Sequence, residues 1–228
     1  RQQADLTAVS IFVNPTQFNK ADDYQLYPRT LDADLEQLAA AGVDLVFTPD
    51  VSQLYPHSAL RAQVEATDAA MGLEGAYRPG HFRGVATIVC KLFNLFQPTI
   101  ALFGKKDYQQ LAVIRAMVEE LFLPVTLVTE ETVREADMVA MSSRNSRLTA
   151  AERQIAPLMY NTLQSVADQL STTSDYSLLE QSATVALNDA GFKVDYVAIR
   201  DRYLRPADQQ TSELVILAAA ELGCVRLI

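Results

Sequence analysis

The sequence predicts an α/β fold with a parallel sheet and crossover helices, followed by a smaller α+β segment. Three observations carry this. Short apolar runs alternate with segments of helical period as far as about residue 132. The order then changes to helices followed by neighbouring strands, and helix-capping and glycine signals fall at the joints. Strands that alternate with helices are joined by right-handed crossovers into a parallel sheet. The expected division is 1–132 for the parallel part and 133–228 for the smaller one.

Taken in order, Leu6 to Val13 is a strand-like run that begins almost at once, as though the chain starts inside a fold. Thr30 is a good N-cap for a helix with Asp32, Asp34 and Glu36 in its first turns, where the macrodipole favours acids. Leu31, Leu35 and Leu38 form its apolar stripe, and Gly42 is placed to end it. Asp44–Phe47 reads as the next strand. A helix from about Gly84 to Asn94 carries Val85, Ile88, Val89 and Leu92 on one face. A strand at 99–103, a helix at 109–121 with Leu111, Ile114, Val118 and Leu121, and a strand at 125–128 complete the series. Beyond it, Thr149 and Glu152 make a capping box, and Pro157 must kink that helix or mark a late start. A helix over 177–190 is stopped by Gly191, and 193–200, 214–219 and 224–228 read as strands.

The 228 residues can bury a real core, and 49% hydrophobic with 21% charged residues is ordinary for a globular protein. A net charge of −9 argues against a nucleic-acid surface, though a few local cations can still hold a small anion. Cys90 and Cys224 lack metal-ligand spacing and sit in apolar runs, so buried free thiols and a cytoplasmic setting are expected. No apolar run reaches transmembrane length, and Arg1–Asp5 is no signal peptide.

Four polar segments are placed for chemistry. Phe103–Gln110 joins a glycine, two lysines, a carboxylate and two amides between a strand and a helix, where open α/β sheets bind ligands. Asn14-Pro15-Thr16-Gln17-Phe18 follows the first strand and falls at the same sheet edge. Its amides suit a ligand with hydroxyls and a carboxylate, while Asn14 alone equally reads as a turn cap. Arg78–Gly84 could set cations and backbone N–H groups around an anion, or be a plain turn; His81 is one of only two histidines, and His57 reads as a surface residue. Ser142-Ser143-Arg144-Asn145 offers hydroxyls beside a forked donor at the expected junction of the two parts. Phosphate-loop, dinucleotide, zinc and nucleophile-elbow motifs are absent from the sequence.

In order, Ser10–Phe18, Tyr27–Thr30, Gly42–Asp44, Arg78–Phe82, Lys91–Asn94, Phe103–Gln110, Arg134–Asp137 and Ser142–Asn145 resemble the pantoate–β-alanine ligases, or pantothenate synthetases. The resemblance runs from residue 6 to the end. It implies a Rossmann-like, nucleotidyltransferase-type domain with a smaller carboxy-terminal domain, in a homodimer. The implied reaction joins pantoate to β-alanine with ATP, through pantoyl adenylate, releasing pyrophosphate and AMP. The resemblance makes Lys106, Ser142 and Arg144 catalytic. It sets Gln17, Gln110, Asn14, Arg78 and His81 at pantoate. It gives ATP the residues Gly104, Lys106, Asp107, Val133, Ser142, Ser143 and Arg144. Asp34 and Gln37 would assist Mg²⁺, which travels mainly with the ATP phosphates. Partners are then small molecules, with no nucleic acid and no membrane. The family's first βα unit, about 30 residues with a His-x-Gly-His motif, lies outside this chain by the resemblance. Lys105 stands where an acid is usual, which would add charge beside the phosphates, and Met138 where glycine is usual. Two further readings use the same residues: a non-catalytic pantoate-binding relative, and a nucleotidyltransferase with another acceptor.

Overall fold

In the computed structural model, which describes residues 4–57 and 60–228, β1 (Ala8–Ser10) runs parallel to β2 (Leu45–Phe47), with Val9 opposite Val46. Between them lie a 3-10 turn at Pro15–Gln17, α1 (Ala21–Gln25) and α2 (Leu31–Ala40). Next come α3 (Val51–Leu54), α4 (Leu73–Tyr77) and α5 (His81–Phe96). β3 (Ile100–Gly104), a second 3-10 turn at Lys105–Asp107, α6 (Tyr108–Glu120) and β4 (Thr126–Glu130) follow, β3 and β4 again parallel. The remainder comprises a 3-10 turn at Ser143–Arg147, α7 (Ala150–Ile155), α8 (Pro157–Gln169), α9 (Tyr176–Asp189), and β5 (Lys193–Asp201), β6 (Leu214–Leu222) and β7 (Val225–Leu227). The last three strands form an antiparallel sheet in the order β5-β6-β7.

The described parallel strands pair two by two, β1 with β2 and β3 with β4, instead of in the one continuous ladder expected from alternation. α5 spans both pairs: Phe96 meets Phe47 edge-on at 5.4 Å, and Phe93 meets Phe103 at 6.3 Å. The inner face of α5 buries Phe82, Val85 and Ala86 against Val113, Ile114 and Met117 of α6, which makes the first core. Each fully buried aliphatic side chain of this kind contributes about 2 kcal/mol. The second core joins α8 and α9 to the antiparallel sheet through residues such as Val166, Leu187, Phe192, Ile199 and Ala220.

Local chemistry explains most element ends. The Thr149–Glu152 capping box is formed, and α7 stops before Pro157, which opens α8 at a position where its missing N–H costs nothing. Gly42 and Gly191 take φ of +73° and +97° just past α2 and α9. Three expectations are corrected. α5 starts at His81, three residues early, because Gly80 in the left-handed region ends the turn there. The leucine stripe of α2 is not buried, Leu31 and Leu35 being 42% and 37% exposed; helical spacing reports a face but not a partner for it. The thiols are free but not buried, Cys90 being half-buried and Cys224 exposed in the turn between β6 and β7. No described helix is long and apolar enough to cross a membrane. The segment Arg1–Asp5, read as no signal peptide, falls in part outside the described residues.

Candidate active site

The loop after β1 is built around Asn14, which is 2% exposed. Its amide donates to Gln17 Oε1 at 3.1 Å and to the Gly84 carbonyl at 3.2 Å. Its oxygen accepts from Thr16 N, Thr16 Oγ1 and Tyr55 OH. Both ends of the Asn14 side-chain amide are therefore engaged inside the protein, and they shape the loop. Gln17, whose oxygen is occupied by Asn14, keeps its NH₂ as a donor.

From the other side, His81 Nδ1 lies 2.7 Å from the Gln17 carbonyl, and Arg78 Nη2 donates to the same oxygen at 3.4 Å. A carbonyl only accepts, so Nδ1 carries the proton. Burial, aided by the Arg78 charge, pushes the His81 pKa down to about 4, and the ring is neutral near pH 7. His81 and Arg78 thus brace the Gln17 loop through its backbone.

At the end of β3, Lys106 is half-buried and, among the described residues, has no carboxylate within ion-pair distance. Burial pulls its pKa down, and Asp107 partly opposes this. Lys105 turns away to pair with Glu131 beyond β4, so it does not add free charge beside Lys106. The neighbouring amides divide their work. Gln109 is buried and donates to the carbonyls of Ala69, Met71 and Gly72, whereas Gln110 stays half-buried.

Across from these loops, Ser142 Oγ accepts from Arg144 N as the cap of its 3-10 turn, which leaves the hydroxyl proton free to donate. The Arg144 guanidinium is held by Asp23, Nε at 3.2 Å and Nη2 at 2.8 Å, and lies 4.9 Å over the Tyr27 ring. Val133 is 66% exposed beside them, and its carbonyl accepts from Met141 N. Met138 has φ of +72°, so the backbone takes the left-handed form that a glycine would adopt freely.

These segments converge. Lys106, Ser142, Arg134 and Arg226 line one cavity of about 50 Å³ against the second core, together with buried Asn145. The charges of Arg78, His81, Lys106, Asp107 and Arg144 act on one another. A second cavity, about 180 Å³, is lined by Thr16, Asn19, His81 and Arg83 on the far side of the Gln17 loop. Asp34 and Gln37 stand apart on α2; Asp34 accepts from Thr30 Oγ1, and Gln37 is exposed. Among the described residues, no group of three or more His, Cys, Asp or Glu side chains is placed to hold a metal.

Sequence reasoning missed Asp23, Tyr55, Gln109 and the Glu74–Arg226 pair. Asp23 had a weak signal as an acid in a short polar stretch before Tyr27, but its partner lies 121 residues away. Gln109 was hidden by its twin, since spacing alone does not say which of two adjacent amides faces inward.

An α/β scaffold thus carries amides at one strand end, a lysine with no carboxylate partner among the described residues at another, and a serine–arginine turn opposite, donors and cations of the kind that suit an anionic ligand. Comparison with known proteins shows the family. The family model for pantoate–β-alanine ligase matches residues 1–228. Pantothenate synthetases of Ectopseudomonas mendocina and Marinobacter nauticus are 49% and 50% identical over 230 residues; the match covers this whole chain and 81% and 82% of theirs. The solved pantothenate synthetase of Thermus thermophilus superposes with a TM-score of 0.93 at 41% identity, over 99% of this chain and 83% of that one. The pantoate–β-alanine ligase of Francisella tularensis, solved with β,γ-ATP and β-alanine, gives 0.82 at 34% identity, over 99% and 78%. The chain belongs to the pantoate–β-alanine ligase family.

Proposed function

We propose that this chain condenses pantoate with β-alanine at the expense of ATP, with the residues assembled above in the roles that follow. A pantoate carboxylate oxygen attacks the α-phosphorus of ATP. The bond to the β-phosphate oxygen breaks and pyrophosphate leaves. The β-alanine amine then attacks the acyl carbon of pantoyl adenylate, loses a proton, and expels AMP.

The observation that carries this reading is half-buried Lys106, without a carboxylate partner among the described residues, sharing a cavity with Ser142. A fixed cation in a partly dry site offsets charge as it builds on transferring phosphoryl oxygens. Arg144 adds a forked donor and Ser142 a hydroxyl, while Ser143, Gly104, Asp107 and Val133 border the nucleotide. The free NH₂ of Gln17, with Gln110, binds the carboxylate and hydroxyl end of pantoate. Asn14, Arg78 and His81 hold the Gln17 loop in place. Magnesium accompanies the triphosphate and neutralises part of its charge. Two donors on α2 do not make a protein-built ion site, so Asp34 and Gln37 act at most through the ion's waters. A cytoplasmic homodimer fits the same reading.

The test is pantoate-dependent exchange of labelled pyrophosphate into ATP. Lys106→Ala is expected to lower the adenylation rate by about a hundredfold, as loss of one preorganised charge partner does. An unchanged single-turnover rate would remove Lys106 from the chemistry.

A further inference from the structure

The structure points to Asp23 as a positioning residue for Arg144, an inference we draw on top of the phosphate role proposed for that arginine. Asp23 sits in α1, Arg144 in the 3-10 turn at Ser143–Arg147, and 121 residues separate them. A guanidinium has five N–H donors arranged as two usable edges. Asp23 takes the side edge, Oδ1 accepting from Nε and Oδ2 from Nη2. The Tyr27 ring covers one face. The outer edge, made by Nη1 and the second Nη2 hydrogen, has no partner among the described residues. A carboxylate competing with phosphate would be expected on that outer edge; one on the side edge fixes the plane and aims the fork.

Two further features support a brace. Asp23 also accepts from Arg147 Nη1 at 3.4 Å, so one carboxylate ties two cations of the same turn. Its pKa is lowered: burial acts against this, but the hydrogen bond and charge of Arg144, with help from Arg147 and Arg78, outweigh it. Asp23 therefore stays ionised through the working pH range, and α1 is anchored to the turn that carries Ser142 and Arg144.

The experiment is a double-mutant cycle on single-turnover adenylation, in protein expressed from its complete coding sequence. Asp23→Ala alone is expected to lower the rate constant about tenfold, within the coupling energies of contacting residues. Asp23→Asn, which keeps one acceptor, falls less far, and it carries the cycle if the alanine variant does not fold. In an Arg144→Ala background the same change should have no further effect, because a brace has nothing left to aim. Losses that multiply, or a faster or ATP-tightened Asp23→Ala enzyme, would overturn the brace while leaving the phosphate reading intact. An Arg144→Ala enzyme with undiminished adenylation would instead overturn the phosphate reading, and the brace with it.

Discussion

His81 shows how one side chain couples the site to solution conditions. Its Nδ1–H donates to the Gln17 carbonyl and the residue is only 6% exposed, so the ring is kept neutral with a pKa near 4. The unfolded chain protonates near the ordinary value of about 6.5. As pH falls, the unfolded state takes up the proton first, so the stability this ring contributes is intact above about 6.5 and is lost toward 4. His81→Asn can keep the donor to Gln17 without titrating. The wild-type advantage over His81→Asn should shrink by about 2 kcal/mol between pH 7 and 4.5 in denaturant melts. A difference that stays constant over that range would show that His81 titrates as it does unfolded. The sequence marked His81 as unusual because only two histidines exist, but it suggested an anion contact. The backbone acceptor 64 residues away could not be read from spacing.

At the scale of elements, the Gln17 loop is seated on α5, and Gly84 allows the approach. A Cβ at Gly84 would meet the Thr16 carbonyl oxygen at 2.4 Å and its carbon at 2.7 Å. Alanine would gain roughly 1 kcal/mol of helix propensity. The clash is with backbone, so the 3-10 turn at Pro15–Gln17 must move, at a cost of about 1–3 kcal/mol. Gly84→Ala is therefore expected to lower the melting temperature, and the KM for pantoate should rise about tenfold, the equivalent of 1.4 kcal/mol. A more stable variant with an unchanged KM would show that the loop is free of the helix. The sequence read Gly84 as the start of α5 because Arg-Pro-Gly before it looks like a turn. The stripe Val85, Ile88, Val89 and Leu92 located the helix body correctly. α1, α3 and α4 were invisible because four or five residues are too short to show a period. The strands were legible as apolar runs, but whether they form one ladder or two depends on hydrogen-bond partners that no single run encodes.

At the scale of the whole molecule, a buried polar network joins the two cores. Glu74 of α4 is 8% exposed and accepts from Arg226 Nη1 at 2.6 Å and from Tyr196 OH at 3.1 Å. Arg226 of β7 also donates to Asp195 of β5 at 2.6 Å, and Arg78 lies 3.8 Å from Glu74. Tyr77 of α4 and Tyr108 of α6 donate to the carbonyls of Asp195 and Arg202. Since Arg78 also holds the Gln17 loop and Arg226 lines the cavity of Lys106, the tie fixes the two halves of the site relative to each other. Removing one member of a buried pair leaves the other charged and uncompensated, which costs about 3–5 kcal/mol in a dry site. Here the Arg226 side chain is 23% exposed, so the lower end of that range applies. The loss falls on the junction, through Glu74, and on the antiparallel sheet, through Asp195, while the first core keeps its own packing. Arg226→Ala should therefore make the two cores melt at different denaturant concentrations, seen as hydrogen exchange accelerating in β5–β7 before β3–β4. Salt should do little to reproduce this, because pairs this far from solvent are weakly screened. One coincident transition at the wild-type midpoint would mean that apolar packing alone holds the halves together, and that the site's geometry does not depend on the tie.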